Sequence, residues 1–218
     1  MSAPLDWSSA VPHIPLDMSG AGFLFIRHGE ALDVEGRCIG QTDVPLSPHG
    51  VTTVEALAIA WPSLFPKIRP VRLVSSDLRR AADSAALLNV LWDLDIEHDP
   101  RLREMSFGAW DGRLWTDLAD EDQSRLGAWM AAWTEVVTPG GEGAGDLVRR
   151  AGAWLADNTG QSEGWTVVVA HAGWIRAALC LLLEQPVAGM FSIPVDHARV
   201  TAVQREAGRY HLIASNQG

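Results

Sequence analysis

Three stretches of this 218-residue chain each bring an apolar run to an end in groups that can hold an anion or move a proton. "FLFIRHG" ends in Arg27, His28 and Gly29. "VRLVSS" ends in Ser75 and Ser76 and leads into Arg79 and Arg80. "TVVVAHAG" ends in His171, Ala172 and Gly173. A run that only fills a core has no need of cations at its tip. Each end has a plain reading on its own: a solvated arginine, a satisfied core histidine, a glycine that turns the chain. Three in one chain point to a shared site, provided the runs lie side by side.

The chemistry that suits such a cluster is phosphoryl transfer. Arginine offers a planar fork of donors that matches a phosphate dianion. Fixed cations stabilise the charge that spreads over the transferring group. A neutral imidazole can attack phosphorus and become a phosphohistidine. The leaving alkoxide then needs a proton, which a carboxylic acid supplies before activating water for the second step. "LREMSFGAWDG" offers Glu104 for that role, between Arg103 and the apolar Met105. To hold a proton at neutral pH it needs partial burial or an incoming phosphate beside it. The plain alternative, a surface carboxylate in the charge cluster "RLRE", stays open on these grounds.

The elements that must position these groups follow from the apolar pattern. The three runs are short, continuous and rich in Val, Ile, Leu and Phe, as strands covered on both faces are. "RVTAVQ" and "RYHLIAS" add a hairpin that turns at Gly208. Helical patterns lie between. Ser47 caps a helix that begins at Pro48, and "DLRRAADSAALLNVLW" puts Leu78, Ala81, Ala82, Ala85, Leu88 and Trp92 on one face. On that wheel Arg79 and Arg80 are equally far from the apolar face. "EGAGDLVRRAGAWLAD" and "GWIRAALCLLL" complete the set. The alternation predicts an α/β fold: a three-layer sandwich, a mostly parallel central sheet flanked by helices. Residues 22–218 are expected to form a single domain, with residues 114–139 a small helical lid inserted over the site. Trp129 and Trp133, four apart, are expected on one lid helix as its core. Trp110 and Trp115 stay open between lid core and a stacking platform for the substrate. Residues 1–21, rich in Ser, Pro and Gly, are expected to be a poorly ordered extension.

Composition excludes several other classes. The chain is 47% hydrophobic and 20% charged, enough for one substantial core. Its net charge of −10 is the wrong sign for a general binder of nucleic acid or anionic membranes. A bound anion must therefore be held by a local cluster of cations. No run reaches the roughly 18 apolar residues of a membrane span, and the N-terminus lacks the basic start and apolar stretch of a secretory signal. Cys38 and Cys180 form no metal spacing, and a reduced cytoplasmic protein is expected. The glycines at 20–22 precede their strand and those at 140–145 follow none, so neither is a dinucleotide loop.

"FIRHGEA", "SSDLRRAADSA", "LREMSFGAWDG" and "VVVAHAGWIRAAL" together resemble the signature blocks of the histidine phosphatase superfamily, the phosphoglycerate mutase-like family, in order and spacing from Phe23 to Leu183. The resemblance implies that His28 is the nucleophile and Glu104 the proton donor. It makes Arg27, Arg80 and His171 the phosphate clamp, and it alone selects Arg80 over Arg79. It implies no metal and no cofactor. "GRCIGQTDVPLSPHG", "FGAWDGRLWTDL" and "TPGGEGAGDLVRRAGAWL" narrow the resemblance to the α-ribazole phosphatase branch, which acts in cobalamin synthesis. By motif position, Arg37, Gly40, Gln41, Trp110, Arg113 and Ala172 are the candidates to contact the alcohol. Departures from the family pattern remove no charge from the clamp: Ala31 stands where the family has Thr, "VTTVEA" after Gly50 lacks the usual Gln, Gly143 replaces a common Ser, and Ala170 and Ala172 flank His171 where Ser or Thr and Gly are usual. The implied activity is hydrolysis of a small phosphorylated metabolite, with α-ribazole 5′-phosphate a candidate. The rivals are a phosphoglycerate mutase, a broad sugar-phosphate phosphatase and a non-catalytic phosphate-binding module. Glu104 and His171 are 67 positions apart (171 − 104), a short segment where the glycolytic mutases carry a longer insertion, which disfavours a mutase. A homodimer is carried as an expectation of assembly.

Overall fold

The computed structural model describes Trp7, residues 20–160 and residues 163–218. Among the described residues six strands form one sheet: β1 (Ala21–Arg27), β2 (Pro70–Ser75), β3 (Ile96–His98), β4 (Trp165–Ala170), β5 (Val200–Glu206) and β6 (Arg209–Gln217). Their order across the sheet is β3-β2-β4-β1-β5-β6. The first four neighbours run parallel, β5 is antiparallel to β1, and β6 is antiparallel to β5. This is the mostly parallel sheet that the apolar runs predict. Strand β3 escaped that reading because it is three residues long at a sheet edge, with two of them exposed.

Strand periodicity builds two cores from one sequence. Along β1, Phe23 and Phe25 enter one core, and Leu24 and Ile26 enter the other. Along β4, Val168 and Ala170 alternate in the same way with Val167 and Val169. Helices α5 (Ala144–Asn158) and α6 (Ala172–Leu182) cover the first face. Helices α1 (Pro48–Leu64) and α2 (Arg79–Asn89) cover the second. Each fully buried Val, Leu, Ile or Phe of these strands contributes about 1.5–3 kcal/mol, so the sheet does not depend on the polar groups at its rim. Helix α1 begins as its sequence predicts: Ser47 Oγ accepts the Gly50 N–H at 2.9 Å, with Pro48 in the first turn.

The 114–139 segment holds two short helices, α3 (Trp115–Glu121) and α4 (Gln123–Ala131). Trp133 lies beyond the end of α4 and packs edge-on against Phe191, so it does not share a helix with Trp129. The expected N-terminal extension falls outside the described residues apart from Trp7, Gly20 and Ala21. Trp7 packs against the core cluster beneath α6, and Ala21 opens β1.

Candidate active site

The parallel ladder brings the three strand tips to one level. Arg27 pairs with Ala170, and Ser75 pairs with Val169. Beyond the tips, the His28 N–H donates to the Ala170 carbonyl at 3.1 Å and the Ser76 N–H to that of Val169 at 2.9 Å. His28, Arg27, Arg80 and Glu104 line one cavity of about 280 Å³, which opens between the sheet rim and the lid. His171 lies fully buried beside it, its ring centre 4.9 Å from that of His28.

His28 is locked in one tautomer. Its Nδ1 lies 2.6 Å from the Gly29 carbonyl, which can only accept, so that nitrogen carries the proton. Its Nε2 accepts from the Arg80 Nε–H at 3.2 Å and therefore holds the lone pair. Burial, then Arg80 and Arg27, hold the imidazole well below the usual histidine range. Gly29 is needed for close packing rather than for a turn. A Cβ there would meet the Gly50 carbonyl of α1 at 2.5 Å.

Arg80 is 2% exposed, whereas Arg79 is exposed, so tertiary packing makes the choice that helical periodicity leaves open. The Arg80 guanidinium also donates to the carbonyls of Thr42 at 2.8 Å and Gly40 at 2.7 Å. The cations at the start of α2 oppose its dipole. The compensating acid comes from the loop before α1, where Asp43 accepts the Arg79 N–H at 2.7 Å. Arg27 donates to the Val195 carbonyl at 2.8 Å. Burial pulls the guanidinium pKa values of Arg27 and Arg80 below the arginine norm. His171 Nε2 lies 2.9 Å from Ser76 Oγ, and burial and neighbouring cationic groups hold its ring well below the usual range. Arg27 Nε and His171 Nδ1 are buried without a hydrogen-bond partner among the described residues.

Glu104 sits at the start of α6. Its carboxylate accepts the Met105 N–H at 2.9 Å and the Gly173 N–H at 3.0 Å. A helix N-terminus favours a carboxylate in that position. Any side chain at Gly173 would run into Glu104 Oε1. The plain alternative for Glu104, a charge cluster with its neighbours, is not what the structure has: Arg103 pairs with Asp77.

The residues expected to reach the alcohol separate. Arg37 and Gly40 line the cavity. Gln41 instead donates to the Glu104 carbonyl at 3.0 Å and so holds the backbone of Glu104. Arg113 turns outward to Glu121. Ala172 is buried in the first turn of α6. Trp110 is 1% exposed and its indole N–H donates to Asp122, which puts it in the lid core and away from the cavity. Trp115 does line the cavity, beside Phe107, and stacks on Trp129. Cys38 is buried there, and burial with Asp111 and Glu104 pushes its thiol up to about 12, so it stays protonated.

Two residues went unnoticed in the sequence. Arg150 on α5 donates to the carbonyls of Arg101, Arg103 and Glu104 and to Glu142. It moors the segment that carries Glu104. It is the second of an Arg–Arg pair, as Arg80 is, and lies beside Ala151 on the buried side of α5. His197 lines the cavity with its ring centre 5.4 Å from His28. Because β5 is antiparallel to β1, with Val200 opposite Ile26, residues just before β5 must lie beside the tip of β1. That was the available signal. Among the described residues, no group of three or more His, Cys, Asp or Glu side chains is arranged to hold a metal ion.

The chain is 35% identical over 185 residues to a glucosyl-3-phosphoglycerate phosphatase of Mycobacterium tuberculosis, covering 78% of this chain and 79% of that one. It is 28% identical over 180 residues to an adenosylcobalamin/α-ribazole phosphatase of Salmonella typhimurium, covering 82% and 87%. The fold matches the crystal structure of an α-ribazole phosphatase from Shigella flexneri with a TM-score of 0.82 and 26% identity, over 90% of this chain and 96% of that one. The family model of the histidine phosphatase superfamily (branch 1) matches residues 23–218, and the chain belongs to that superfamily.

Proposed function

We propose that this chain is a phosphomonoesterase that hydrolyses a small phosphorylated metabolite through a phosphohistidine at His28. The observation that carries this reading is the His28 imidazole: neutral, with its proton fixed on Nδ1 and its lone pair on Nε2, inside a cavity that Arg27, Arg80 and Glu104 share. Arg27 Nε and His171 Nδ1 supply donors that a bound phosphate would satisfy. In the first step Nε2 forms a bond to phosphorus as the ester P–O bond breaks, and the proton of Glu104 goes to the leaving alkoxide. In the second, the Glu104 carboxylate takes a proton from water. The hydroxyl attacks phosphorus, the P–N bond breaks, and phosphate leaves with Glu104 protonated again. The arginines and His171 stabilise the charge of both transition states.

The alcohol is the finer question. Arg37 lines the cavity and donates to the Gly112 carbonyl at 3.0 Å, with no carboxylate within ion-pair distance among the described residues. This favours an alcohol that carries an acid group, such as the glucosyl-3-phosphoglycerate named for the M. tuberculosis relative. The Trp115 and Phe107 rings support a second reading, a nucleoside-like alcohol such as α-ribazole. Side-by-side kcat/KM values for the two esters decide between them. The reaction class is tested by quenching turnover of a 32P-labelled ester in base. Acid-labile label on the wild type, and none on His28→Ala, is expected. Label that persists in His28→Ala, or conversion of 3-phosphoglycerate to its isomer without free phosphate, would overturn it.

A further inference from the structure

His197 stands where none of the expected site residues stood, and several contacts hold it there. The segment from Ile193 to Ala198 is tied down at four of its six residues. Arg176 Nε donates to the Ile193 carbonyl at 2.9 Å and Arg27 to that of Val195 at 2.8 Å. The Asp196 N–H donates to Asn216 Oδ1 at 2.8 Å, and Asn216 Nδ2 returns a bond to the Asp196 carboxylate at 2.7 Å. The Ala198 N–H closes on the Arg27 carbonyl at 3.0 Å. Ala198 and Asn216 both hold left-handed backbones, with φ of 52° and 53°, which residues with side chains adopt only when their surroundings impose it. The outcome is an imidazole tilted 47° against the nucleophile's ring, facing the cavity. Neither of its ring nitrogens is hydrogen-bonded among the described residues. His171, the other ring beside His28, is by contrast buried and bonded to Ser76.

Resting on the hydrolase reading, we infer that His197 is a third phosphate-contacting histidine, which donates a hydrogen bond to a non-bridging oxygen of the phosphoryl group held at His28. Its distance from His28 suits a group bound at that ring. The alcohol lies further out, toward Glu104, which must reach the ester oxygen. The charges facing His197 fit the role. Arg27 on β1 and Arg80 on α2 press it toward the neutral form, while Glu30 and Asp196 oppose them, and His28 adjoins it. With burial the largest cause, the ring is held down to about 4. The empty site therefore presents one N–H and no added positive charge. A phosphate dianion reverses the sign of the local field and favours proton uptake by the ring.

The test compares wild type with His197→Ala and His197→Gln. Calorimetry reads the Kd for inorganic phosphate from pH 5 to 8, and kcat/KM is taken for p-nitrophenyl phosphate and for a bulky ester. For His197→Ala, a Kd raised about tenfold is expected, the scale of one hydrogen bond to a charged group. The kcat/KM should fall by a similar factor for both esters. With Kd expressed per free dianion, so that the titration of phosphate itself drops out, His197→Gln, which keeps an N–H donor, should recover most of the pH 8 affinity but lack the tightening toward pH 5 expected of wild type. A Kd within threefold of wild type in His197→Ala overturns the inference. So does a loss confined to the bulky ester, or a loss that His197→Gln does not relieve. Because phosphate binding needs no turnover, a wild type that binds phosphate yet hydrolyses no ester would overturn the hydrolase reading alone.

Discussion

Glu104 carries two duties in the proposed cycle, and a single substitution separates them. Glu104→Gln keeps the size and loses the proton. Acid catalysis contributes about 10²–10⁴-fold, so kcat for an alkyl ester should fall by that order. p-Nitrophenolate leaves without needing a proton, so phosphorylation of His28 should survive in the variant. Hydrolysis of the phosphohistidine still needs the carboxylate as base. Rapid mixing should therefore show a burst of one p-nitrophenolate per active site followed by slow turnover. A variant with no burst and a uniformly slow rate would separate Glu104 from the second step. The candidate acid stood in "LREMSFGAWDG", where the residues alone left it level with a surface carboxylate and the family resemblance selected it. What the sequence left open was whether Glu104 is moored or loose. Its moorings are backbone N–H groups, Arg150 and Gln41, and such long-range hydrogen bonds have no period or spacing to betray them.

The junction of β4 with α6 shows how an element sets a side chain. Helix α6 starts at Ala172, directly beyond the buried β4, and its first-turn N–H at Gly173 holds the Glu104 carboxylate. Gly173→Ala should raise helix stability slightly, by about 0.5–1 kcal/mol, and push that carboxylate aside. The expected outcome is an unchanged or higher Tm with kcat reduced at least about tenfold. Equal activity would mean that Glu104 works from another position. The same scale explains what sequence patterns reveal. Continuous apolar runs announce β1 and β4 because both of their faces are buried, and β2, which carries an exposed Val71 and the ion-paired Arg72, is announced by its buried end, residues 73–75. Trp110 and Trp115 could not be told apart. They sit five residues apart in a lid whose packing, through Asp122 and Trp129, depends on how α3 and α4 fold back.

Across the whole molecule, burial of neutral histidines ties stability to pH. His28 and His171 are held well below the ordinary value of 6.5, and His197 at about 4. Above pH 6.5 neither the folded nor the unfolded chain charges these rings, and nothing is lost. As pH falls below 6.5 the unfolded chain takes up protons that the folded one refuses, so stability declines. The urea midpoint should drop between pH 7.5 and 5, before carboxylates titrate. A flat midpoint over that range would contradict the burial of these rings in neutral form. The Arg80 guanidinium carries a different consequence. One side chain covers the lone pair of His28 and, through Gly40 and Thr42, holds the wall of the cavity in place. Deleting it would bare that lone pair to stray electrophiles, free two carbonyls and slacken the cavity wall, all in one step. A rate measured on an Arg80 variant is thus a compound quantity. Its fall reports three lesions at once, and no single phosphate contact can be read from it.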